Sequence, residues 1–228
     1  MTCDKTELFE IAGVPVFRMA ADNLLVFRGG MEIDADGAYR AYHPPPDTGK
    51  GLDNIHNAGG PGNWFGVVTD NGEPNGTPVV QRSDDPAPGF FVSATALEDP
   101  TKDRTDPRKY VDAETIPYIV LPGHMQGGAS LGDLAVVVNR NTDQVVGAIC
   151  GDIGPRAKIG EASIATAKAL GIPDSPRNGG VSSKIVSYVI FTGSGNHRPR
   201  AAAEIASEAG RLFTDWGGLD RLNECFPG

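Results

Sequence analysis

From Leu134 to Ile153 the chain runs apolar through "LAVVV", turns at "NTDQ" and runs apolar again through "VVGAICGDI". A strand with one wet face alternates apolar and polar residues. These two segments do not, so both of their faces must be buried. The short polar turn between them predicts an antiparallel hairpin. A hairpin buried on both sides belongs in the middle of a large sheet or in the wall of a barrel, and that requirement organises the rest of the chain.

Other segments supply the remaining strands. "VPVFRM", "LLVFRGGMEI", "WFGVVTD", "TPVVQ", "GFFVSATAL", "ETIPYIVLPG" (ending at Pro122) and "KIVSYVIFTG" are β-rich, and "DADG" (Asp34–Gly37) and "NGEPNG" are turn signals. "HPPPDTGKG" and "DPTKDRTDPRK" read as loops, since successive prolines cannot join a ladder. The chain has 30 Gly and 18 Pro in 228 residues, which fits many short strands better than long helices. "EASIATAKALGI" places Ile164, Ala167, Leu170 and Ile172 at helical spacing before a Gly171 stop, with Glu161 expected to open the helix. "RAAAEIASEAGRLFTDW" and "LDRLNECF" predict two further helices near the C-terminus. No repeat or low-complexity linker interrupts the sequence, so residues 1–228 are expected to form one domain.

The formal net charge is −9, which disfavours nucleic acid and an anionic membrane surface and suits a cationic partner or simple solubility. No run of about 18 apolar residues predicts a membrane span. The N-terminus lacks a basic start followed by an apolar stretch, so no signal peptide is expected. Of the three cysteines, Cys150 lies in an apolar run and reads as a core residue. Cys3 and Cys225 lie near the two termini and could either pair or remain free thiols. No Cys/His spacing suits zinc. Asp34 and Asp36 form a D-x-D-G turn without the glutamate of a calcium loop, so calcium is the lesser reading and neither metal nor cofactor is expected. His43, His56, His124 and His197 are scattered through loops with no i, i+4 pair. The nucleophile elbow of α/β-hydrolases and a phosphate-binding loop are both absent.

The segment "GDIGPRAKIGEASIATAKALGI" (Gly151–Ile172) holds the main chemical signal. Asp152 and Glu161 stand on either side of a glycine-rich loop. Two rigidly held carboxyl groups are the usual apparatus of glycosidic bond cleavage, one protonating the leaving oxygen and the other activating water or attacking directly. Spacing alone equally allows a turn-capping Asp and a Glu that favours a helix dipole. Around this pair, Trp64 or its neighbour Phe65 in "GNWFG" could stack on a sugar, with core packing the plain alternative. Asp70 and Asp133, at strand edges, are candidates for substrate contact or turn capping. Lys158, inside the loop, is a further candidate for substrate contact and would lower the pKa of Glu161.

The blocks "MEIDADGAYRAYHP", "GLDNIHNAGGPGNWFGVVTD", "GFFVSATALED", "DPRKYVDAETIPYIVLPG", "LGDLAVVVNR" and "GDIGPRAKIGEASIA", in this order from Met31 to about Phe191, resemble glycoside hydrolase family 75, the fungal-type chitosanases. The resemblance implies endo-hydrolysis of the β-1,4 links of chitosan, a cationic polysaccharide, with inversion and no cofactor. It implies a catalytic pair at Asp152 and Glu161 and a secreted enzyme; a monomer is expected, though the sequence does not fix the oligomeric state. Glu161, intrinsically the weaker acid, is expected as the acid and Asp152 as the base. The segment from "LPG" to "GEASI" is also similar to double-psi β-barrels such as the 3D domain and lytic transglycosylase A. That similarity implies a mainly β (α+β) fold, with a six-stranded double-psi barrel core, added strands and C-terminal helices. The transglycosylase similarity implies the reverse assignment of the pair, with Asp152 as the acid. It leaves as alternatives a peptidoglycan-directed glycosidase or transglycosylase on the same barrel, and a non-catalytic polysaccharide-binding protein.

Overall fold

A computed structural model describes residues 3–46, 49–123 and 127–227; His124 lies outside the described residues. Ten strands are present among the described residues: β1 (Thr6–Ile11), β2 (Val14–Met19), β3 (Leu24–Asp34), β4 (Gly59–Gly60), β5 (Asn63–Trp64), β6 (Tyr118–Pro122), β7 (Leu134–Asn139), β8 (Gln144–Gly154), β9 (Glu161–Ser163) and β10 (Val181–Phe191). Three helices accompany them, α1 (Ile164–Ala169), α2 (Ala202–Trp216) and α3 (Gly218–Cys225). The main sheet runs β1-β2-β3-β10-β7-β8-β6-β9, and a β3–β9 pairing closes six of its strands into a barrel.

The barrel connections interlock. β3 and β6 are successive barrel strands, yet β9 lies between them, parallel to β3 and antiparallel to β6. β8 and β9 are also successive, and β6 lies between them. Two such crossed connections are the double-psi arrangement expected from the sequence. The hairpin that anchored the sequence reading is β7–β8, paired from Leu134↔Ile149 to Asn139↔Gln144.

Its double burial has a simple physical account. Leu25, Phe27, Ile119, Leu121, Ala135, Val137, Ala148, Cys150, Tyr188 and Ile190 form one apolar cluster, and it fills the barrel. The alternate residues Leu24, Val26, Val120, Val136, Val138, Ile149 and Val189 form the other, together with Ile205, Ala209, Phe213 and Trp216 of α2. Five of the six barrel strands feed two cores at period two, the exception being β9, of which only Ala162 joins a core. α2 packs its i, i+4, i+8 stripe on the outside of β7 and β8, and Gly147 leaves room for the backbone at Ala206. Cys3 and Cys225 form a disulfide across a sequence separation of 222, which decides between the two thiol states left open by the sequence.

Two expected elements differ. "WFGVVTD", "TPVVQ" and "GFFVSATAL" meet only as isolated bridges, Val67↔Ser93, Thr69↔Pro78 and Val80↔Phe91, with β5 limited to Asn63–Trp64. Prolines 74, 78, 86 and 88 remove ladder donors there. Together with neighbouring loops this irregular segment lies over the outer face of the barrel, where Trp64, Phe91, Leu97 and Val111 join the outer cluster. The second difference concerns Glu161, which does not open a helix. Residues Glu161–Ser163 form β9, and Ser163 caps α1 by accepting the Thr166 N–H. Extended pairing wins because this tripeptide closes the barrel, with Glu32–Asp34 on one side and Ile119–Val120 on the other.

Candidate active site

A groove of about 860 Å³ lies between the outer barrel face and the covering segment. Asp152 of β8 and Glu161 of β9 both line it. They reach it by register: Val120 on β6 pairs with Asp152 on one side and with Glu161 on the other. Residues directly opposite across a sheet share a face, so the two carboxyl groups project into one space with Val120 as the floor between them.

A register shift in the β6–β8 pairing makes this alignment possible. Gly151 sits at that shift, and a Cβ on it would approach the Tyr118 side chain to 2.7 Å. The glycine thus admits the Tyr118 ring, whose hydroxyl reaches Asp34 Oδ2 at 3.0 Å and the Asp36 carbonyl at 2.9 Å. The "DADG" turn does the rest. Asp34 Oδ1 accepts the Asp36 N–H at 2.9 Å. Gly37 has φ +79°, and a Cβ there would run into the Val111 carbonyl. Asp36 Oδ1 accepts from the Tyr42 hydroxyl at 2.8 Å, with the Ser93 hydroxyl at 3.3 Å.

Four acidic side chains are thereby brought together. Asp34, Asp36 and Asp152 hold carboxylate oxygens within 4.8 Å of one another, and this is the set among the described residues able to hold a metal ion. Both oxygens of Asp34 already accept hydrogen bonds. Burial, with the neighbouring Asp152 charge, raises Asp34 to about 7. Burial and the charge of Asp34 push Asp36 well above the usual carboxylate range. Asp152 is raised to about 7 by burial, against the opposing pull of the Ala96 and Ile153 backbone N–H groups. The Ala96 bond is 2.7 Å long. Glu161 is also raised to about 7, by burial and then the Asp34 charge, with Lys158 pulling the other way. The expected downward influence of Lys158 is present, and burial outweighs it. The expected helix-terminus influence falls away with the reassignment of Glu161 to β9.

The other site candidates are dispersed. Lys158 lines the groove and pairs with Glu32 at 2.5 Å. Trp64 is buried with its ring 6.2 Å from that of Phe91, while Phe65, 66% exposed, lines the groove. Asp70 lies outside the groove lining and closes its own turn, accepting the Asn71 and Thr77 N–H groups at 2.8 and 2.9 Å. Asp133 is 1% exposed and ties two loops together, accepting from Ser130 and Gly195 N–H groups, each at 2.9 Å. His56 borders the groove, whereas His43 packs edge-on against Phe90.

Asp34 and Asp36 escaped the sequence reading as site residues, although the alternation Glu32, Asp34 at the end of a strand places both carboxylates on one face. Asp53 and Asn57 were also missed. The Asn57 amide donates to both Asp53 oxygens at 3.0 and 2.9 Å, an i, i+4 contact within an irregular segment that carries no periodic signal. No helix is long and apolar enough to cross a membrane among the described residues.

The groove therefore holds two carboxyl groups with elevated pKa values facing one space, a buried acidic set behind them and an exposed aromatic ring in its lining. A comparison with curated proteins finds no match. The family model described as "Fungal chitosanase of glycosyl hydrolase group 75" matches residues 31–216, which include the groove lining, both paired carboxylates and all the barrel strands but the first part of β3, and the chain belongs to that family of glycoside hydrolases.

Proposed function

We propose that the chain acts as one catalytic domain, an endo-chitosanase that cleaves β-1,4 links with inversion through Asp152 and Glu161. The observation that carries this reading is the common register of the two carboxyl groups against Val120. Glu161 gives its proton to the leaving glycosidic oxygen. Asp152 takes a proton from water as that water attacks the anomeric carbon from the opposite face. The C–O bond breaks, the new C–O bond forms on the other side, and the hemiacetal product is inverted. The pair finishes with Asp152 protonated and Glu161 ionised, and exchange with solvent restores it. The chemistry requires no cofactor.

Hydrogen bonding supports this division of labour. Burial raises Asp152 to about 7 like Glu161, but Asp152 also receives backbone N–H groups, which favour its ionised form, as a base requires. Burial and neighbouring carboxylates hold the proton on Glu161, as an acid requires. Phe65 and Ile153, respectively 66% and 50% exposed and both lining the groove, supply apolar surface for sugar faces.

The test is reducing-end release from chitosan beside chitin, cellulose and peptidoglycan, with NMR of the first-formed anomer. Release from chitosan with an inverted anomer is the expected result. A retained anomer overturns inversion, and activity confined to peptidoglycan with a 1,6-anhydro product overturns the chitosanase reading.

A further inference from the structure

The groove lining carries six acidic side chains, Glu32, Asp34, Asp36, Asp53, Asp152 and Glu161. Most of their oxygens are engaged. Asp34 is held by Tyr118 and its own turn, Asp36 by Tyr42 and Ser93, and Asp53 by Asn54 and Asn57. Asp152 and Glu161 are reserved for proton transfer in the reading above. Glu32 is different: its side chain is 66% exposed, and its Oε2 is met by an ammonium, Lys158 Nζ, at 2.5 Å. Glu32 also stands in register beside Glu161, on the neighbouring parallel strand. Its backbone is therefore one strand spacing, about 4.8 Å, from that of the proposed acid, and both side chains line the groove.

We propose that Glu32 reads the ammonium of a glucosamine unit adjoining the cleaved bond, and that Lys158 occupies this position until the substrate displaces it. The argument is chemical identity. A lysine ammonium and a 2-amino-sugar ammonium are both compact cations with N–H donors, and a carboxylate that accepts one accepts the other. The exchange replaces one ion pair with another, so Glu32 is never left unpaired. Lys158 belongs to the loop between β8 and β9, and an exposed ion pair is weak enough to be exchanged. An N-acetylated unit carries no charge at this position and gains nothing from Glu32. The site therefore discriminates by deacetylation, and the inference rests on the chitosanase reading.

Kinetics on fully deacetylated and on heavily N-acetylated oligomers test it. Glu32→Gln is expected to raise KM on the deacetylated series roughly three- to fivefold, the upper part of the range for an exposed charged contact, and to change the acetylated series less than twofold. Glu32→Asp should recover part of the loss. Lys158→Met removes the competing cation, so KM on the deacetylated series should fall. Calorimetric binding of deacetylated oligomers in an Asp152→Asn background reads the same contact without turnover. Unchanged discrimination in Glu32→Gln overturns the assignment of Glu32, and a higher KM in Lys158→Met overturns the displacement. A wild-type enzyme that leaves chitosan intact fails the function itself. An active wild type with an indifferent Glu32→Gln fails this inference alone.

Discussion

Asp152 and Glu161 are both partners of Val120, one across a parallel ladder and one across an antiparallel one. Two strand spacings of about 4.8 Å separate their backbones, which places the Cα atoms roughly 9.5 Å apart. Carboxyl groups that flank a bond with room for a water lie about 6.5–9.5 Å apart, whereas a direct nucleophile needs about 5 Å. Sheet hydrogen bonds fix these backbone positions, and the proposed inversion needs the two side chains to hold their carboxyl groups within the wider range.

Asp152→Asn and Glu161→Gln are each expected to lower kcat by about 10²–10⁴, the usual cost of losing a positioned proton-transfer group. Circular dichroism should show both variants folded. A folded variant with near-wild-type turnover would remove that residue from the mechanism.

Much of the barrel was legible because its strands have to satisfy two cores at once. The runs at Leu134–Val138 and Tyr118–Leu121 announce that burial directly. Type and spacing singled out Asp152 and Glu161 but left capping roles equally open until the family resemblance weighed in, and the setting of Glu161 was not legible at all. "EAS" carries good helical spacing into α1, and only its distant partners, Glu32–Asp34 and Ile119–Val120, turn it into β9. Trp64 and Phe65 show the same limit. Adjacent residues in an extended segment point opposite ways, and the sequence does not say which ring meets the core. Asp34 and Asp36 look like a turn, and they are one; their second role arises where Tyr118 and Tyr42 reach them.

Phe65→Ala should weaken binding of chitosan oligomers. The ring is exposed, but its backbone is fixed: the Phe65 and Gly66 N–H groups both donate to the Ala58 carbonyl, at 3.0 and 3.1 Å. Loss of a stacking platform is worth about 1 kcal/mol, or a KM increase of roughly fivefold. Phe65→Trp should retain affinity, and the melting temperature should hardly move. An unchanged KM in Phe65→Ala would show that sugars bypass this ring.

The groove's acidic lining predicts a salt effect on KM. The chain carries a net charge of −9, and chitosan is a polycation. Raising ionic strength shortens the screening length to about 8 Å at 0.15 M and 3 Å at 1 M, so KM should rise with salt while kcat changes less. A salt-independent KM would assign the acidic surface to solubility alone.

Reduction of the Cys3–Cys225 disulfide should lower stability by about 2–5 kcal/mol, toward the upper end because the bond closes nearly the whole chain into a loop. In a protein of this size that corresponds to a melting temperature lower by about 5–15 °C. The tie secures α3 to the segment before β1, where Lys5 Nζ also reaches the Cys225 carbonyl at 2.5 Å. Cys3→Ser and Cys225→Ser should match each other and the reduced protein. The groove is built from other elements, so activity at a temperature well below the transition should survive. Equal melting of oxidised and reduced protein would show that the termini are held without the bond.

The pH dependence of stability isolates Asp34. Its carboxyl is buried behind the pair and raised from 3.8 to about 7, by burial and then the Asp152 charge. Between these values the folded state holds a proton that the unfolded state has released. Stability rises with pH where the unfolded state binds more protons, so here it must fall. The contribution is present in full below about 3.8 and is lost as pH rises through 7. Asp152 and Glu161, raised in the same direction, add to the slope. Asp34→Asn keeps the shape and an acceptor for the Asp36 N–H but does not titrate. Urea unfolding at pH 5 and pH 8 should therefore show wild type losing more stability over this interval than Asp34→Asn, by an amount on the order of a few kcal/mol. At pH 8 the variant should be the more stable of the two. Asp34→Asn would also lower the pKa of Glu161, because a neighbouring negative charge is gone, and shift the alkaline limb of the activity profile downward. An identical pH slope in both proteins would mean that Asp34 is ionised in the folded state throughout, with Tyr118 and the Asp36 N–H sufficient to stabilise its charge.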